Sequence, residues 1–590
     1  MESKKAARKG RRILFGVLAL GAVLIACAAW VGVRALMVKS DLDELVPLAE
    51  QARSALDAGD PEQFAQVAQA MSAHSERAAA TAGDPLWRAA ETVPGVGPNL
   101  TAVRVVATEL DRVVRTAPAV LQAADGLDAP ADGALVDTAA LAAGSARIEQ
   151  SARALERSAD ALRAIDEGAL IAPVRQGVDK VRGAVDTLAP LADVAAGAAR
   201  ILPTALGGDG ARSLLVMIQN PAELRTGGGI SGSFAELRAE QGRLTLVRQA
   251  NSSEFTRTTA PVADVPPATG ALYGDGVGRY VQNASMAPDF AVTGELASAW
   301  WASLTGHRPD MVIAVDPYVL QALLSVTGPV ALPSGATLDA ANVLDSLLVQ
   351  PYLTLSSDEQ TALFSGAGDA VFARVADGSL DALALLRAVE QPVADGRVSV
   401  WSAHPHEQDV LGRSPVGGPK ARQDAAGAGA FAVYFNDATG GKMAGYLDVG
   451  IRSRVLECRS DGLAEVAVTV TMGSHAPADV ASLPISVTGG GMFGVGEGDI
   501  GTNVTVTAPE GSFAGQVIVK GEPYPAATAD DAGRAGSTAR VNLSPAEINE
   551  LEFRFLVPRD ATDAITFVHT PLMNAPEVSV EGRCSATVTP

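Results

Sequence analysis

The chain has 590 residues, enough for several domains, and 47% of them are apolar, which excludes a largely disordered protein. Its net charge is −21; because residues 1–39 hold eight Lys/Arg and one Glu, the other 551 residues carry −28. A body this acidic lacks the positive surface that phosphate backbones require, so we expect no nucleic-acid partner.

The N-terminal segment has the features of a membrane anchor. A basic tail, residues 1–12, precedes an apolar run over residues 13–33 that carries no charge. At ~1.5 Å per residue such a helix reaches about 31 Å, the thickness of a bilayer's hydrocarbon core. We predict a single transmembrane helix over 13–37, a cytoplasmic N-terminus, and an extracytoplasmic body at the cell membrane. A cleaved signal peptide and lipidation at Cys27 are the alternatives, and both also export the body.

The remaining sequence changes its hydrophobic period three times. Residues 38–205 are Ala-rich with apolar residues at helical spacing, which predicts a helical stalk or bundle. Residues 206–405 alternate short apolar strands with helical stretches, which predicts an α/β domain. Residues 406–430 are rich in Gly, Pro and Ala and predict a linker or long loop. Residues 431–590 alternate apolar and polar positions, which predicts a β-sandwich, so the fold class is multidomain α+β.

Two cysteines lie in strand-like segments of the C-terminal region. In an exported body, Cys458 and Cys584 are candidates for a disulfide that ties the first strand of that region to its last. Two separate buried thiols are the alternative.

The stretch from Asn220 to Ser233 is the most unusual in the sequence. It contains GxGxxG after a strand, but a hairpin follows instead of a helix, which argues against dinucleotide binding. Its glycines and Arg225 could bind an anion, because the backbone N–H groups and the guanidinium donate hydrogen bonds. The alternative is a tight turn in which Glu223 and Arg225 form a structural ion pair. The candidate anion-binding residues are Asn220, Glu223, Arg225, Gly227, Gly228, Gly229 and Lys442. For Lys442, a contact with the preceding domain and a solvated turn also stay open.

Metal and nucleophile signals are weaker. Asp289 and Asp316 precede helices, and their oxygens suit a divalent cation such as Mg²⁺. Loop or helix-cap aspartates are the favoured alternative for both. The cluster His404, His406 and Glu407 is a fainter metal candidate. A hydrolase lacks support because no nucleophile and base are recognisable.

The same glycine-rich stretch carries a family resemblance. Its pattern Asn-x-x-Glu-x-Arg-x-x-Gly-Gly, together with the segments 283–289, 309–316 and 436–442, resembles the family called domain of unknown function 4012. Members are mostly bacterial, especially actinobacterial, and membrane anchored. Membership implies no established reaction.

A second resemblance covers roughly 120 residues. Residues 283–306, 312–316 and 324–330 are similar to LytR-CpsA-Psr domains. Those extracytoplasmic enzymes transfer glycopolymers from polyprenyl-pyrophosphate carriers to peptidoglycan, usually with Mg²⁺. The Pro-Arg-Asp stretch of that family is replaced here by residues 247–252. The arginines left to bind pyrophosphate are Arg225, Arg248, Arg257 and Arg279.

The two resemblances imply a function at the cell envelope. We expect a protein that binds or handles an anionic glycopolymer or a polyprenyl-pyrophosphate-linked precursor. A non-catalytic envelope scaffold with a degenerate α/β domain is the alternative.

Overall fold

The chain is a mixed α and β protein with several sheets. A computed structural model describes residues 2–58, 60–116, 134–376 and 382–584. They fall into two compact units. The first comprises residues 1–126 and 139–202, and the second comprises residues 127–138 and 203–590.

Where the structure describes it, the first unit is helical, as the sequence predicts for 38–205. Its helices are α1 (Glu2–Ala58), α2 (Pro61–Ala82), α3 (Pro85–Ala90), α4 (Gly97–Val114), α5 (Thr138–Arg163) and α6 (Ala172–Ala205). Asp60 and Asp84 accept backbone N–H groups at the starts of α2 and α3, each followed by a proline. Leu155 and Leu162 of α5 pack against Val106 and Val178 of the flanking helices.

The predicted transmembrane span lies within α1. The side chains of residues 13–21 and of Leu24 fall outside the described part of the chain. In the part that is described, no helix is long and apolar enough to cross a membrane. Cys27, the predicted alternative lipidation site, has a free thiol.

The second unit begins with a sheet flanked by helices. Its strands are β1 (Arg212–Asn220), β2 (Ile230–Glu240), β3 (Arg243–Asn251), β4 (Met311–Val315), β5 (Val330–Ala331), β6 (Thr337–Leu338) and β7 (Ser399–Ser402). The helices are α7 (Pro267–Tyr273), α8 (Phe290–Thr305), α9 (Pro317–Thr327), α10 (Val343–Leu348), α11 (Gln350–Thr354), α12 (Ser357–Ala376) and α13 (Ala382–Ala394). The main sheet has the order β3-β2-β1-β4-β7, and β1 and β4 are its parallel pair. The α/β prediction is therefore right in outline, but hairpins connect β1, β2 and β3.

Both faces of this sheet are covered. Side chains alternate between the faces of a strand. On one face, Leu215 and Met217 of β1 belong to a core that includes Trp300 and Trp301 of α8. On the other face, Val216 and Ile218 of the same strand line a cavity.

The predicted linker 406–430 is wrong. That segment forms most of α14 (Pro405–Leu411) and all of α15 (Pro419–Ala425). Proline occupies the first turn of each helix, a favoured position because its missing N–H has no intrahelical partner there. Gln423 of α15 is buried and donates to the carbonyl oxygen of Ala430 at 3.0 Å. The Gly and Pro residues of this segment lie at and between the ends of short, packed helices.

The C-terminal region is the predicted β-sandwich. Its strands are β8 (Ala430–Asp437), β9 (Leu447–Cys458), β10 (Leu463–Ser474), β11 (Ile500–Glu510), β12 (Phe513–Val519), β13 (Glu522–Tyr524), β14 (Ala527–Asp531), β15 (Arg534–Leu543), β16 (Ile548–Pro558), β17 (Thr566–His569) and β18 (Glu577–Glu581). One sheet has the order β13-β12-β16-β10-β9-β18 and the other β14-β15-β11-β8-β17. Phe431 and Val433 of one sheet and Phe553 and Phe555 of the other share one core.

Cys458 and Cys584 form a disulfide, with their Cα atoms 5.7 Å apart. The strand assignment made from the sequence needs one correction. Cys458 ends the second strand of the sandwich, β9, because the first strand, β8, begins at Ala430. The bridge joins β9 to the residues that follow β18, its parallel neighbour.

Candidate functional site

The glycine-rich motif forms the tight connection between β1 and β2. Asn220 ends β1, and its side-chain oxygen accepts the N–H of Ala222 at 2.9 Å. Gly228 has a φ of +133°, and a Cβ on Gly229 would lie 2.2 Å from the carbonyl oxygen of Asn220. The connection therefore requires glycine at both positions.

Glu223, at the centre of this connection, is held between two cations. Its carboxylate accepts from Nη2 of Arg225 at 3.1 Å and contacts Nζ of Lys442. The three side chains are 6%, 8% and 16% exposed, respectively. Burial alone would raise the pKa of Glu223, but the charges of Lys442 and Arg225 outweigh it and hold that pKa below its ordinary value.

Arg225 gives its hydrogen bonds to the protein. Nη1 donates to the carbonyl oxygen of Leu224 at 2.8 Å, and Nε donates to Oδ1 of Asn283 at 3.0 Å. With the bond to Glu223, all three guanidinium nitrogens have protein acceptors. These contacts favour the ion-pair alternative, and anion binding by Arg225 stays a prediction.

Asp437 is the fourth member of what we call the buried ionic cluster: Glu223, Arg225, Asp437 and Lys442. Its carboxylate accepts the N–H of Gly440 at 2.6 Å. Desolvation of the carboxyl group and the nearby charge of Glu223 raise the pKa of Asp437 to about 6.

The motif also fastens the α/β part to the sandwich. Oδ1 of Asn436 accepts the N–H of Thr226, and Nδ2 of Asn436 donates to Oγ1 of the same threonine, both at 3.0 Å. The N–H of Asp437 donates to the carbonyl oxygen of Leu224 at 2.8 Å. Of the alternatives for Lys442, the structure shows contact with the preceding segment, through Glu223.

Beside the cluster lies an apolar cavity of about 570 Å³, which we call the sheet cavity. This volume is within the range of about 300–1,000 Å³ that ligand-binding clefts show. Its floor is the face of the main sheet opposite Trp300, and its roof comes mainly from α9 and α12. Representative lining residues are Val216, Ala235, Leu246, Ile313, Leu320 and Phe364.

The sheet cavity is polar at one end. Gln219 and Asn220 at the end of β1, Asn251 at the end of β3, and Lys442 all line it. Strand register places these strand ends at one edge, since Ile218 pairs with Val315 and Ser233 with Asn251. Leu237 and Leu246 pair farther along and mark the apolar end. From Ile230 to Leu237 the floor runs about 23 Å, at ~3.3 Å per residue.

Tyr352 links the sheet cavity to the cluster. Its hydroxyl accepts from Nδ2 of Asn220 at 2.6 Å, and Nζ of Lys442 lies 5.3 Å from the centre of its ring. Burial raises the pKa of Tyr352, so the phenol stays protonated at neutral pH. The cationic head of Lys442 is thereby placed at the polar end of an apolar chamber.

The two predicted metal ligands are helix caps. Asp289 accepts the N–H of Ala291 at the start of α8, and Asp316 accepts the N–H groups of Tyr318 and Val319 at the start of α9. Asp316 lines the sheet cavity and pairs with Nη1 of Arg397 at 2.6 Å. Burial raises the pKa of Asp316, while Arg397 opposes the shift.

Two of the three fainter candidates, His404 and Glu407, also have protein partners. His404 contacts Asp310 at 3.1 Å, and Glu407 pairs with Arg212 at 3.1 Å. Among the residues that the structure describes, no group of three or more His, Cys, Asp or Glu side chains is placed to hold a metal. Magnesium binding stays a prediction.

Sequence reasoning missed the sheet cavity. The available signal was the run Leu214–Ile218, which is apolar at every position and therefore indicates a strand covered on both faces. Whether the second face is filled or hollow depends on the packing of α9 and α12, which single-residue patterns do not encode.

Comparison with known proteins identifies part of this site. No curated protein matches the chain. A family model does match residues 209–352, which include the motif from Asn220 to Gly229, strands β1 to β4 and Tyr352. Lys442 and the sandwich lie beyond the matched residues. Residues 209–352 are therefore similar to the family described as protein of unknown function (DUF4012).

Proposed function

We propose that this chain is a membrane-anchored, extracytoplasmic envelope protein that binds the apolar chain of an anionic, lipid-linked glycopolymer precursor in the sheet cavity. The observation that carries the proposal is the cavity itself: an elongated apolar chamber with a cation at one end. The suspected resemblance to LytR-CpsA-Psr domains supports the same class of ligand.

The dimensions suit a hydrocarbon chain. Each methylene moved from water into such a chamber contributes about 0.8 kcal/mol, so ten of them contribute about 8 kcal/mol before the cost of association. A chain of that size fits a floor of about 23 Å. The side chains of Val216, Ile313 and Phe364 offer it contact without hydrogen-bonding groups.

The polar end suits an anionic head group. Lys442 is the cation among the described lining residues, and its charge is secured because Glu223 raises the pKa of the ammonium group against the effect of desolvation. Asn251 lines the same end, and its side-chain amide can donate to phosphate oxygens.

Two features support the proposed location. Val23, Ile25, Trp30 and Val33 of α1 are between 46% and 72% exposed, so this part of the helix presents large apolar side chains that suit a lipid environment. The Cys458–Cys584 bridge suits an oxidising compartment outside the cytoplasm.

The test is lipid binding by the full chain in detergent, followed by native mass spectrometry with a short-chain polyprenyl pyrophosphate. Ala235→Phe places a ring on the cavity floor and should weaken binding at least tenfold. Val247→Phe introduces the same ring at an exposed position on β3 that does not line the cavity, and should leave binding unchanged. Equal binding by both variants would contradict the proposal.

The head group is tested separately. Lys442→Met should weaken binding of the polyprenyl pyrophosphate but not of the uncharged polyprenol, since only the former carries phosphate oxygens. Equal loss for both lipids would mean that the substitution acts through the fold, and would remove Lys442 from the site.

A second candidate function is the non-catalytic scaffold. The observation that favours it is the pair of hydrogen bonds between Thr226 and Asn436, which join the α/β part to the sandwich. Absence of saturable lipid binding by a folded full chain would favour this reading, and crosslinking to envelope proteins would then test it.

A further inference from the structure

An exposed apolar segment borders the polar end of the sheet cavity. Residues 480–496 contain no charged side chain, in a chain whose net charge is −21. Three large apolar side chains of this segment, Ile485, Met492 and Phe493, are 67%, 53% and 67% exposed. We call residues 484–494 the apolar rim. Isolated apolar residues are common on protein surfaces, so the first question is whether these three belong to one patch.

Glycine turns bring the three side chains together. Ile485 begins a short helix, Ile485–Thr488, and the three glycines that follow it, residues 489–491, all have positive φ angles. A Cβ on Gly490 would lie 2.6 Å from Cγ1 of Ile485, so this side chain lies against the turn that leads to Met492. Because Met492 and Phe493 come directly after the turn, the three side chains belong to one local patch.

The exposed ring of Phe493 projects from a constrained backbone. Its φ is +62°, a left-handed conformation that bulky residues rarely adopt. The carbonyl oxygen of Phe493 accepts from Nη2 of Arg540 at 2.8 Å, and that of Gly494 accepts from Nδ2 of Asn542 at 3.3 Å. Such a conformation persists only where the surrounding structure enforces it, and it concentrates at functional sites. A side chain presented in this way loses less entropy on contact with a partner.

The apolar rim is continuous with the polar end of the sheet cavity. Oγ of Ser486 donates to the carbonyl oxygen of Tyr352 at 2.8 Å, and the N–H of Lys442 donates to the carbonyl oxygen of Val487 at 2.7 Å. Tyr352 and Lys442 both line the cavity. A surface that covers the rim therefore also faces the polar end of the cavity.

Opposite charges lie at the base of the apolar rim. Arg540, which holds the carbonyl group of Phe493, also donates from Nε to Oδ1 of Asn542 at 3.1 Å, and both of these acceptors are neutral. Glu497 is exposed, and a Cβ on Gly491 would lie 3.5 Å from its backbone nitrogen. One guanidinium and one carboxylate beside an apolar patch match a zwitterionic lipid head group, which carries a phosphate and an ammonium group.

We propose that the apolar rim inserts into the head-group region of a bilayer of zwitterionic phospholipids, so that the polar end of the sheet cavity faces the membrane surface. Apolar side chains enter the boundary of the acyl chains, while the flanking charges stay among the head groups, as in interfacial amphipathic segments. The inference rests on the proposed membrane anchorage, which keeps a bilayer within reach of the chain. It does not require that the sheet cavity holds a lipid.

The test places a nitroxide spin label on the rim of the full chain in phosphatidylcholine nanodiscs. Met492→Cys is made in a Cys27→Ser background, so that residue 492 carries the only free thiol, because Cys458 and Cys584 are bridged. Collisions of the label with oxygen, which dissolves in lipid, are compared with collisions with a water-soluble nickel complex. A label in the bilayer meets oxygen and is protected from nickel.

Phe513→Cys in the same background is the matched control. Phe513 is also an exposed aromatic residue of the sandwich. It follows the end of β11, a strand of 11 residues or about 35 Å, whose first residue, Ile500, lies on the side of the rim. A label at residue 513 therefore reports the opposite end of the sandwich.

We expect the ratio of oxygen to nickel collisions to be at least about fivefold higher at residue 492 than at residue 513, and to fall to the value at 513 when Phe493→Ser is added. Addition of phosphatidylglycerol should change the ratio less than about twofold, because the flanking charges cancel. Equal ratios at the two positions in a reconstituted chain would overturn this inference and leave the anchorage standing. Protection of residue 492 from both reagents would mean that protein covers the rim and would also overturn it. A chain that does not enter nanodiscs would overturn the anchorage together with this inference.

Discussion

The buried ionic cluster makes a quantitative prediction about Glu223. Glu223→Gln keeps the size of the side chain and one acceptor oxygen but removes the charge that Arg225 and Lys442 share. Because the side chains of all three residues are at most 16% exposed, solvent screens this loss poorly. Removing one partner of a buried ion pair costs about 3–5 kcal/mol, so we expect the second unit to lose at least about 3 kcal/mol of unfolding free energy.

The assay is urea unfolding followed by tryptophan fluorescence. Trp300, Trp301 and Trp401 are buried in the second unit and report its transition. Glu240→Gln is the matched control, since Glu240 lies in the neighbouring strand and pairs with Arg238 at an exposed site. Surface pairs contribute about 0–1 kcal/mol, so the control should lose less than about 1 kcal/mol.

A double-mutant cycle separates the pair from its surroundings. Lys442→Met in the Glu223→Gln background should cost less than it does in the wild type, with a coupling energy of about 1 kcal/mol or more. If Glu223→Gln behaves like Glu240→Gln, the cluster does not support the fold, and Arg225 returns as a candidate for ligand binding.

Three further predictions concern pH, the disulfide and one helix. The folded-state pKa of Asp437 is about 6, above its ordinary 3.8, so ionisation of this carboxyl group destabilises the fold as pH rises. Asp437→Asn should therefore stabilise the protein by up to about 3 kcal/mol at pH 8 and match wild type at pH 4. A difference in urea unfolding that does not depend on pH would refute this. Replacing Cys458 and Cys584 by Ser opens a loop spanning 126 residues and should cost about 4 kcal/mol in non-reducing urea unfolding; an unchanged midpoint would contradict the bridge. Gly294→Ala would place a Cβ 2.2 Å from Cγ of Trp401 and should cost about 1–3 kcal/mol despite the better helix propensity of Ala; a more stable variant in thermal unfolding would show that Trp401 moves freely.

Local signals in the sequence were sufficient for many elements. The helical spacing of apolar residues over 38–205 predicted helices there, and the alternation of apolar and polar positions over 431–590 predicted the strands of the sandwich. The segment 406–430 was misread because short helices with buried polar side chains, such as Gln423, have the composition of loops.

Sequence reasoning predicted the residues of the motif but not the sheet cavity. The unusual composition of the motif singled out Glu223 and Arg225 and allowed their ion pair. The pairing of Glu223 with Lys442 depends on a contact between residues more than 200 positions apart. The sheet cavity depends on how α12 packs over β2 and β3, which no local pattern specifies.

Occupancy of the sheet cavity is the central claim, and photocrosslinking tests it most directly. A polyprenyl phosphate with a diazirine on its chain would be irradiated with the full protein, and the adducts located by peptide mass spectrometry. We expect adducts on β2 near Ala235 and on α12 near Phe364 and Val371, which line the cavity, and their loss in Ala235→Phe. Adducts confined to residues 22–37 of α1 or to exposed surfaces, unchanged in Ala235→Phe, would contradict the account.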